Sequence, residues 1–184
     1  MNLEDWFLKG MTAQAYVDSM DHHKEDLIYI YENFDVSAKD HPFFEQLQKR
    51  NLRALILTED WCGDAMMNIP IFLRLAEASH IHTHFLLRDE NPDLMDQYLT
   101  NGTSRSIPKI IVINSKGEEI CNWGPRAPEL QQFIDESSAS LPQKDDQEFK
   151  AKQKEMLRFV IKAYRGNQDL WNYVYEDLKK TLKY

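Results

Sequence analysis

The run Leu52-Arg53-Ala54-Leu55-Ile56-Leu57-Thr58-Glu59-Asp60-Trp61-Cys62-Gly63-Asp64-Ala65 decides the fold. Its first seven residues are almost continuously apolar, the pattern of a strand buried on both faces of a parallel sheet. A turn at Cys62-Gly63-Asp64 follows, and then Met66, Met67, Ile69, Phe72, Leu73, Leu75 and Ala76 recur at helical spacing. A buried strand feeding directly into a helix sets the Cys62 sulfur at the helix N-terminus. Unpaired backbone N–H groups and the positive end of the helix dipole favour a thiolate there, and the thiolate is the reactive form. Asp64, in the first turn, suits the helix but opposes a nearby thiolate. The pattern therefore predicts a lowered Cys62 pKa, less lowered than a neutral neighbour would permit.

Residues 81–87 form the next strand-like run. Asn91-Pro92-Asp93 opens a helix through Leu94, Met95, Tyr98 and Leu99, which Asn101-Gly102 closes. Lys109-Ile110-Ile111-Val112-Ile113 and Glu118-Glu119-Ile120-Cys121-Asn122-Trp123 flank Asn114-Ser115-Lys116-Gly117 and read as a hairpin. A last core helix starts near Pro128 and carries Leu130, Phe133 and Ile134. The order β-α-β-α-β-β-α requires a parallel pair from the first crossover and an antiparallel pair from the hairpin. The expected fold class is α/β, a mixed sheet of about four strands flanked by helices.

Residues 1–51 read as a helical N-terminal extension, 52–140 as the core and 141–184 as a helical C-terminal extension, together one compact unit. Leu27-Ile28-Tyr29-Ile30-Tyr31 fits a strand or a helix by composition; the absence of Gly and Pro from 21–34 favours one long helix. Pro42 opens another helix that runs to about Arg50. Ser, Pro, Lys and Asp crowd 137–147, a surface linker. Beyond it, 149–164 and 170–184 read as amphipathic helices joined at Gly166-Asn167.

The 184 residues carry 22 basic and 30 acidic side chains, a net charge of −8, so the overall electrostatics argue against nucleic acid or an anionic membrane as partner. No window approaches the roughly 18 apolar residues of a spanning helix, and residues 1–5 lack the basic-then-apolar order of a secretory signal. Two cysteines, Cys62 and Cys121, are too few for a disulfide scaffold or a thiolate zinc site, so a reducing, cytoplasmic setting is expected. Cys121 lies in the outer hairpin strand and reads better as a small buried hydrophobe than as a resolving thiol. His80, His82 and His84 alternate on one strand face and could bind a metal, but the better reading is surface histidines on an edge strand. Neither a metal nor a cofactor is assigned. Strands 52–58 and 81–87 end on the sheet edge where ligand sites gather. Arg88 thereby falls near Cys62, either offsetting Asp64 or forming an ordinary salt bridge with Asp60 or Asp89.

Trp61-Cys62-Gly63 followed at a distance by Ile107-Pro108 resembles the thioredoxin family. Its members carry Trp-Cys-Gly-Pro-Cys at this junction and an Ile-Pro whose cis proline faces the active cysteine. Asp89-Glu90-Asn91-Pro92, Lys116-Gly117 and Gly124 extend the likeness over about residues 52–137. More narrowly, Asp-Trp-Cys-Gly-Asp with helical flanks looks like a bacterial branch of thioredoxin-like proteins. The resemblance implies a thioredoxin-like fold with Cys62 as catalytic nucleophile. It also implies a substrate groove edged by Trp61, Gly63, Asp64, Ile107, Pro108, Trp123 and Gly124, with Arg88 and Asp64 tuning the thiol. Trp123 reads equally well as ordinary packing. Three departures narrow the implied chemistry. Ala65 stands at the resolving-cysteine position, so Cys62 cannot close the family's usual fast intramolecular disulfide. Asp64 replaces the motif proline, and Ile56 replaces a buried acid that assists proton transfer.

The expected activity is monothiol exchange on mixed disulfides of proteins or low-molecular-weight thiols, the Cys62 adduct being cleared by an external thiol. The alternative is a redox-inactive module whose groove takes an extended peptide through backbone pairing beside Ile107. Trp171, Tyr173 and Tyr175 on the last helix read as a packing cap, or as an exposed stripe for a homodimer.

Overall fold

Arg53–Thr58 is the central strand, and five of its six residues are buried, because both faces of the sheet are covered. The structure, a computed structural model, describes residues 2–183. The chain runs α1 (Glu4–Lys9), β1 (Met11–Thr12), α2 (Ala13–Ser19), α3 (Lys24–Asn33), α4 (His41–Gln48), β2 (Arg53–Thr58), α5 (Gly63–Ala78), β3 (His82–Leu87) and α6 (Pro92–Met95). It continues through β4 (Lys109–Ile113), β5 (Glu119–Trp123), α7 (Pro128–Ser138), α8 (Phe149–Gly166) and α9 (Gln168–Leu182). The sheet order is β1-β3-β2-β4-β5. β2 pairs in parallel with β3 and antiparallel with β4, and β4 with β5 form the antiparallel hairpin. The mixed α/β architecture expected from the element order is present.

The sheet has five strands, not about four. The two residues of β1, set between helices, are too short to display a period of two in the sequence. It pairs antiparallel with β3, Met11 opposite Phe85, and so covers what would otherwise be an open edge. Leu27 to Tyr31 is helical, within an α3 that starts only at Lys24, after His23 in the left-handed region at φ 55°. α6 is a single turn; beyond Met95 the N–H groups of Gln97 and Tyr98 bond three residues back, a tighter winding than an α-helix.

The histidines do not share a role. His80 precedes the strand with φ 55°, His82 is exposed, and His84 stacks on Phe7 with its Nδ1 2.6 Å from the Phe7 carbonyl. Among the described residues, no three His, Cys, Asp or Glu side chains cluster to hold a metal. No described helix is long and apolar enough to cross a membrane.

Eleven of the sixteen residues of α5 are buried, since α3, α8 and α9 pack on it as well as β3 of the sheet. The core runs without a break from Leu3 through the sheet to Leu170, Trp171, Val174, Tyr175, Leu178 and Leu182 of α9. Trp171 and Tyr175 are packing residues and Tyr173 faces outward. The Trp171 indole N–H also donates to the Tyr164 carbonyl at 2.7 Å, locking α9 to α8. Replacing a buried indole leaves a large cavity. Trp171→Ala should therefore lower stability by about 3–5 kcal/mol in urea unfolding. An unchanged urea midpoint would mean that the C-terminal helices do not contribute to the core.

Candidate functional site

Glu59 to Asp64 connects β2 to α5, and each acid in it has a fixed job. Glu59 is buried and accepts the Asp89 N–H at 2.8 Å; burial pushes its carboxyl pKa upward. Asp60 accepts the backbone N–H groups of Asp21 and His22 at 2.8 and 3.0 Å, tying the α2–α3 turn to the loop. Asp64 is held from the other direction. Arg126 Nη2 lies 2.6 Å from its carboxylate and the Tyr164 hydroxyl donates to it at 2.8 Å.

Cys62 is the N-cap of α5. Its Sγ accepts the Ala65 N–H at 3.5 Å and its S–H donates to the Ile107 carbonyl at 3.4 Å. Ile107 and Pro108 are joined by a cis peptide, and the same turn meets a second cis peptide at Gly124-Pro125. Gly124 has φ +116°, and a Cβ there would lie 2.1 Å from the Pro108 oxygen, so only glycine admits this close approach. Asn68 of α5 completes the junction by donating to the Pro125 carbonyl at 2.9 Å.

The lowered thiol pKa expected from the helix terminus is not what this environment produces. Cys62 is only 8% exposed. Burial, and then the negative charge of Asp64, push the thiol up to about 11; the Ala65 and Asp64 N–H groups and Arg126 act in the lowering direction without prevailing. Desolvation of an anion is the larger effect here, and the helix N-terminus offsets only part of it. Cys121 is likewise a free thiol pushed up to about 11 by burial.

Other placements settle on one of the alternatives left open, or depart from both. Arg88 takes the salt-bridge alternative: its guanidinium stacks over the Trp61 ring at 5.0 Å and pairs with Asp89 at 2.8 Å. The cation that acts on Cys62 is Arg126, which no spacing in the sequence singles out. Trp123 is buried and its indole N–H donates to Asp177 at 2.7 Å, so it packs against α9 instead of edging a groove. Gly63 is covered by α8, since a Cβ there would meet Ile161 at 2.5 Å. Ile107 and Pro108 are buried as well, whereas Trp61 is 48% exposed. Beside it a pocket of about 280 Å³ is walled by Met156, Leu157 and Ile161 of α8, with Asp64, Arg126 and Tyr164 among its polar lining.

Asp64 raises the thiol pKa, so removing its charge must lower it. In a Cys121→Ser background, Asp64→Asn should speed iodoacetamide alkylation of Cys62 at pH 8 by about three- to tenfold, each pKa unit being tenfold in thiolate. A rate that stays flat or falls would remove Asp64 as a control on this thiol.

Two solved structures share the fold over nearly the whole chain. An HIV epitope scaffold superposes with a TM-score of 0.65 at 15% identity, covering 100% of this chain and 98% of its own. A protein of unknown function from Pseudomonas aeruginosa gives a TM-score of 0.62 at 16% identity, covering 90% and 95%. At such identities the likeness concerns fold alone, and it runs through both helical flanks. No curated protein sequence matches the chain. A thioredoxin family model matches residues 10–152, which include β2, Cys62, the Ile107-Pro108 turn and the hairpin; the chain belongs to the thioredoxin family.

Proposed function

We propose that the protein is a slow monothiol exchanger that accepts one partner on Cys62 and holds it. The observation that carries this reading is the seat of Cys62 at the α5 N-cap, its sulfur against the Ile107 carbonyl, with Ala65 where a second thiol would resolve the adduct. The Cys62 thiolate attacks one sulfur of a mixed disulfide, from a protein or a low-molecular-weight thiol. A new Cys62 S–S bond forms as the old one breaks, and the leaving thiolate takes a proton from water. An external thiol then attacks the outer sulfur of the adduct, forming a new disulfide and releasing the Cys62 thiolate. The number of disulfides is unchanged in both steps. With a thiol pKa pushed up to about 11, attack at neutral pH is slow because little thiolate is present. Release is slow too, because a high-pKa thiolate is a poor leaving group. Such chemistry suits a long-lived adduct better than rapid turnover, and a cytoplasmic supply of thiol is the natural means of clearance.

The same raised pKa favours a second reading, a redox-inactive module whose exposed surface binds a partner while Cys62 only packs. One experiment separates the two. The Cys121→Ser protein is incubated with 2,2′-dipyridyl disulfide from pH 7 to 10 and its intact mass followed. Exchange predicts a single adduct, absent from a further Cys62→Ser variant, forming about tenfold faster per pH unit and persisting after removal of the reagent. No adduct at pH 10 would sink the exchange reading and leave the binding module.

A further inference from the structure

The charge of α8 runs against that of the chain. Six basic side chains, Lys150, Lys152, Lys154, Arg158, Lys162 and Arg165, face one acid, Glu155, within a protein of net charge −8. Several are accounted for. Lys152 pairs with Glu155 at 3.3 Å, and Arg165 pairs with Asp26 at 3.1 Å and lies over the Tyr29 ring. Lys154, Arg158 and Lys162 are exposed and have no partner among the described residues. They line an open groove of about 500 Å³ between α8 and the start of α3, together with Leu157, Ile161 and His23. Asp26, the acid on the far wall, is already engaged by Arg165 and lies 3.7 Å from His23. Leu157 and Ile161 continue into the pocket beside Trp61 and Gly63, the residues on either side of Cys62.

From this we infer that the α8 groove binds an extended acidic peptide segment with carboxylates at alternate positions. The cations stand four residues apart on one helix, about 6 Å per step. Alternate side chains of an extended peptide stand about 6.6 Å apart, so three successive carboxylates on one side match Lys154, Arg158 and Lys162. The intervening Leu157, itself 52% exposed, and Ile161 offer apolar contact between the charges. A flat anionic membrane is the poorer fit, because the cations line a groove between α8 and the start of α3 that an extended chain can enter and a flat surface cannot. The run of the groove toward Trp61 makes the acidic segment a flank of the disulfide partner; that identification rests on the exchange reading above, whereas the peptide groove itself does not.

The test is calorimetric titration of the full chain with a capped peptide of three glutamates alternating with alanine. Controls are its glutamine counterpart and vesicles containing phosphatidylserine. The glutamate peptide should bind at least about tenfold more tightly than the glutamine one, and weaken from 50 to 300 mM salt. Lys154→Glu combined with Arg158→Glu and Lys162→Glu should abolish binding, and the corresponding triple glutamine variant should reduce it by a similar factor, ruling out misfolding by charge reversal. The dipyridyl disulfide reaction of Cys62 should be unchanged in both. Equal binding of the two peptides, retention of binding in the triple variants, or binding of the vesicles but not the peptide would overturn the groove. Loss of the disulfide reaction in the unaltered protein, with charge-dependent peptide binding intact, would overturn only the exchange reading.

Discussion

The carboxylate of Asp64 lies between Arg126 and the Tyr164 hydroxyl, with 13% of its side chain exposed. Three parts of the chain meet on that one charge: the first turn of α5, the segment after the cis turn at Gly124-Pro125, and α8 from the C-terminal extension. A carboxylate with so little access to water must be paired or hydrogen-bonded to remain charged. Arg126, itself mostly covered, is satisfied at the same place, with a further bond to Gln131. Because the pair lies beside the N-terminus of α5, it fixes the electrostatics that Cys62 experiences as well as the position of α8.

A cysteine at a helix N-terminus is usually discussed as an activated thiol, and here two contributions compete at the same atom. The N–H groups of Asp64 and Ala65 and the cation of Arg126 favour the thiolate. Against them stand burial and the full negative charge of Asp64. A helix terminus carries about half an elementary charge, and its influence is confined to the first turn. A whole anionic side chain at that turn, together with the loss of solvent, outweighs it. Arg126 cannot reverse the balance, because its charge is already engaged by Asp64 at 2.6 Å.

The core was legible where the pattern is local. The unbroken apolar run of β2 follows from burial on both sheet faces, and the Asn114 to Gly117 turn between β4 and β5 announces a hairpin. The α5 pattern could be read because one helix follows directly from β2, even though most of its circumference is buried. What escaped depends on distant parts of the chain. Tyr164 is one hundred positions from Asp64, and Arg126 meets it only because the chain turns back through Gly124-Pro125. Trp123 could be placed in the outer hairpin strand but not assigned a face, because Asp177 of α9, which takes its indole N–H, is remote in sequence. Arg88 follows β3, its N–H bonded to Thr58 at the end of β2; whether its side chain turns to Cys62 or to Trp61 and Asp89 is a choice that spacing does not encode.

The two aspartates that bracket Trp61-Cys62-Gly63 explain why both extensions belong to this fold. Asp60 is gripped by N–H groups of Asp21 and His22 from the N-terminal side, and Asp64 by the Tyr164 hydroxyl from the C-terminal side. The motif loop is therefore clamped at both ends by segments outside the central β-α-β-α-β-β-α unit. Gly63 lies under the same cover, since a Cβ there would meet the end of the Ile161 side chain and require it to shift. Asp64 then has a structural reason in this loop: it supplies the anion to which Arg126 and α8 attach. The consequence for chemistry is fixed by position. The charge that docks the C-terminal helix stands within the first turn of α5, so it opposes the thiolate. Within this geometry, fastening α8 over the motif and activating Cys62 are opposed demands on a single carboxylate.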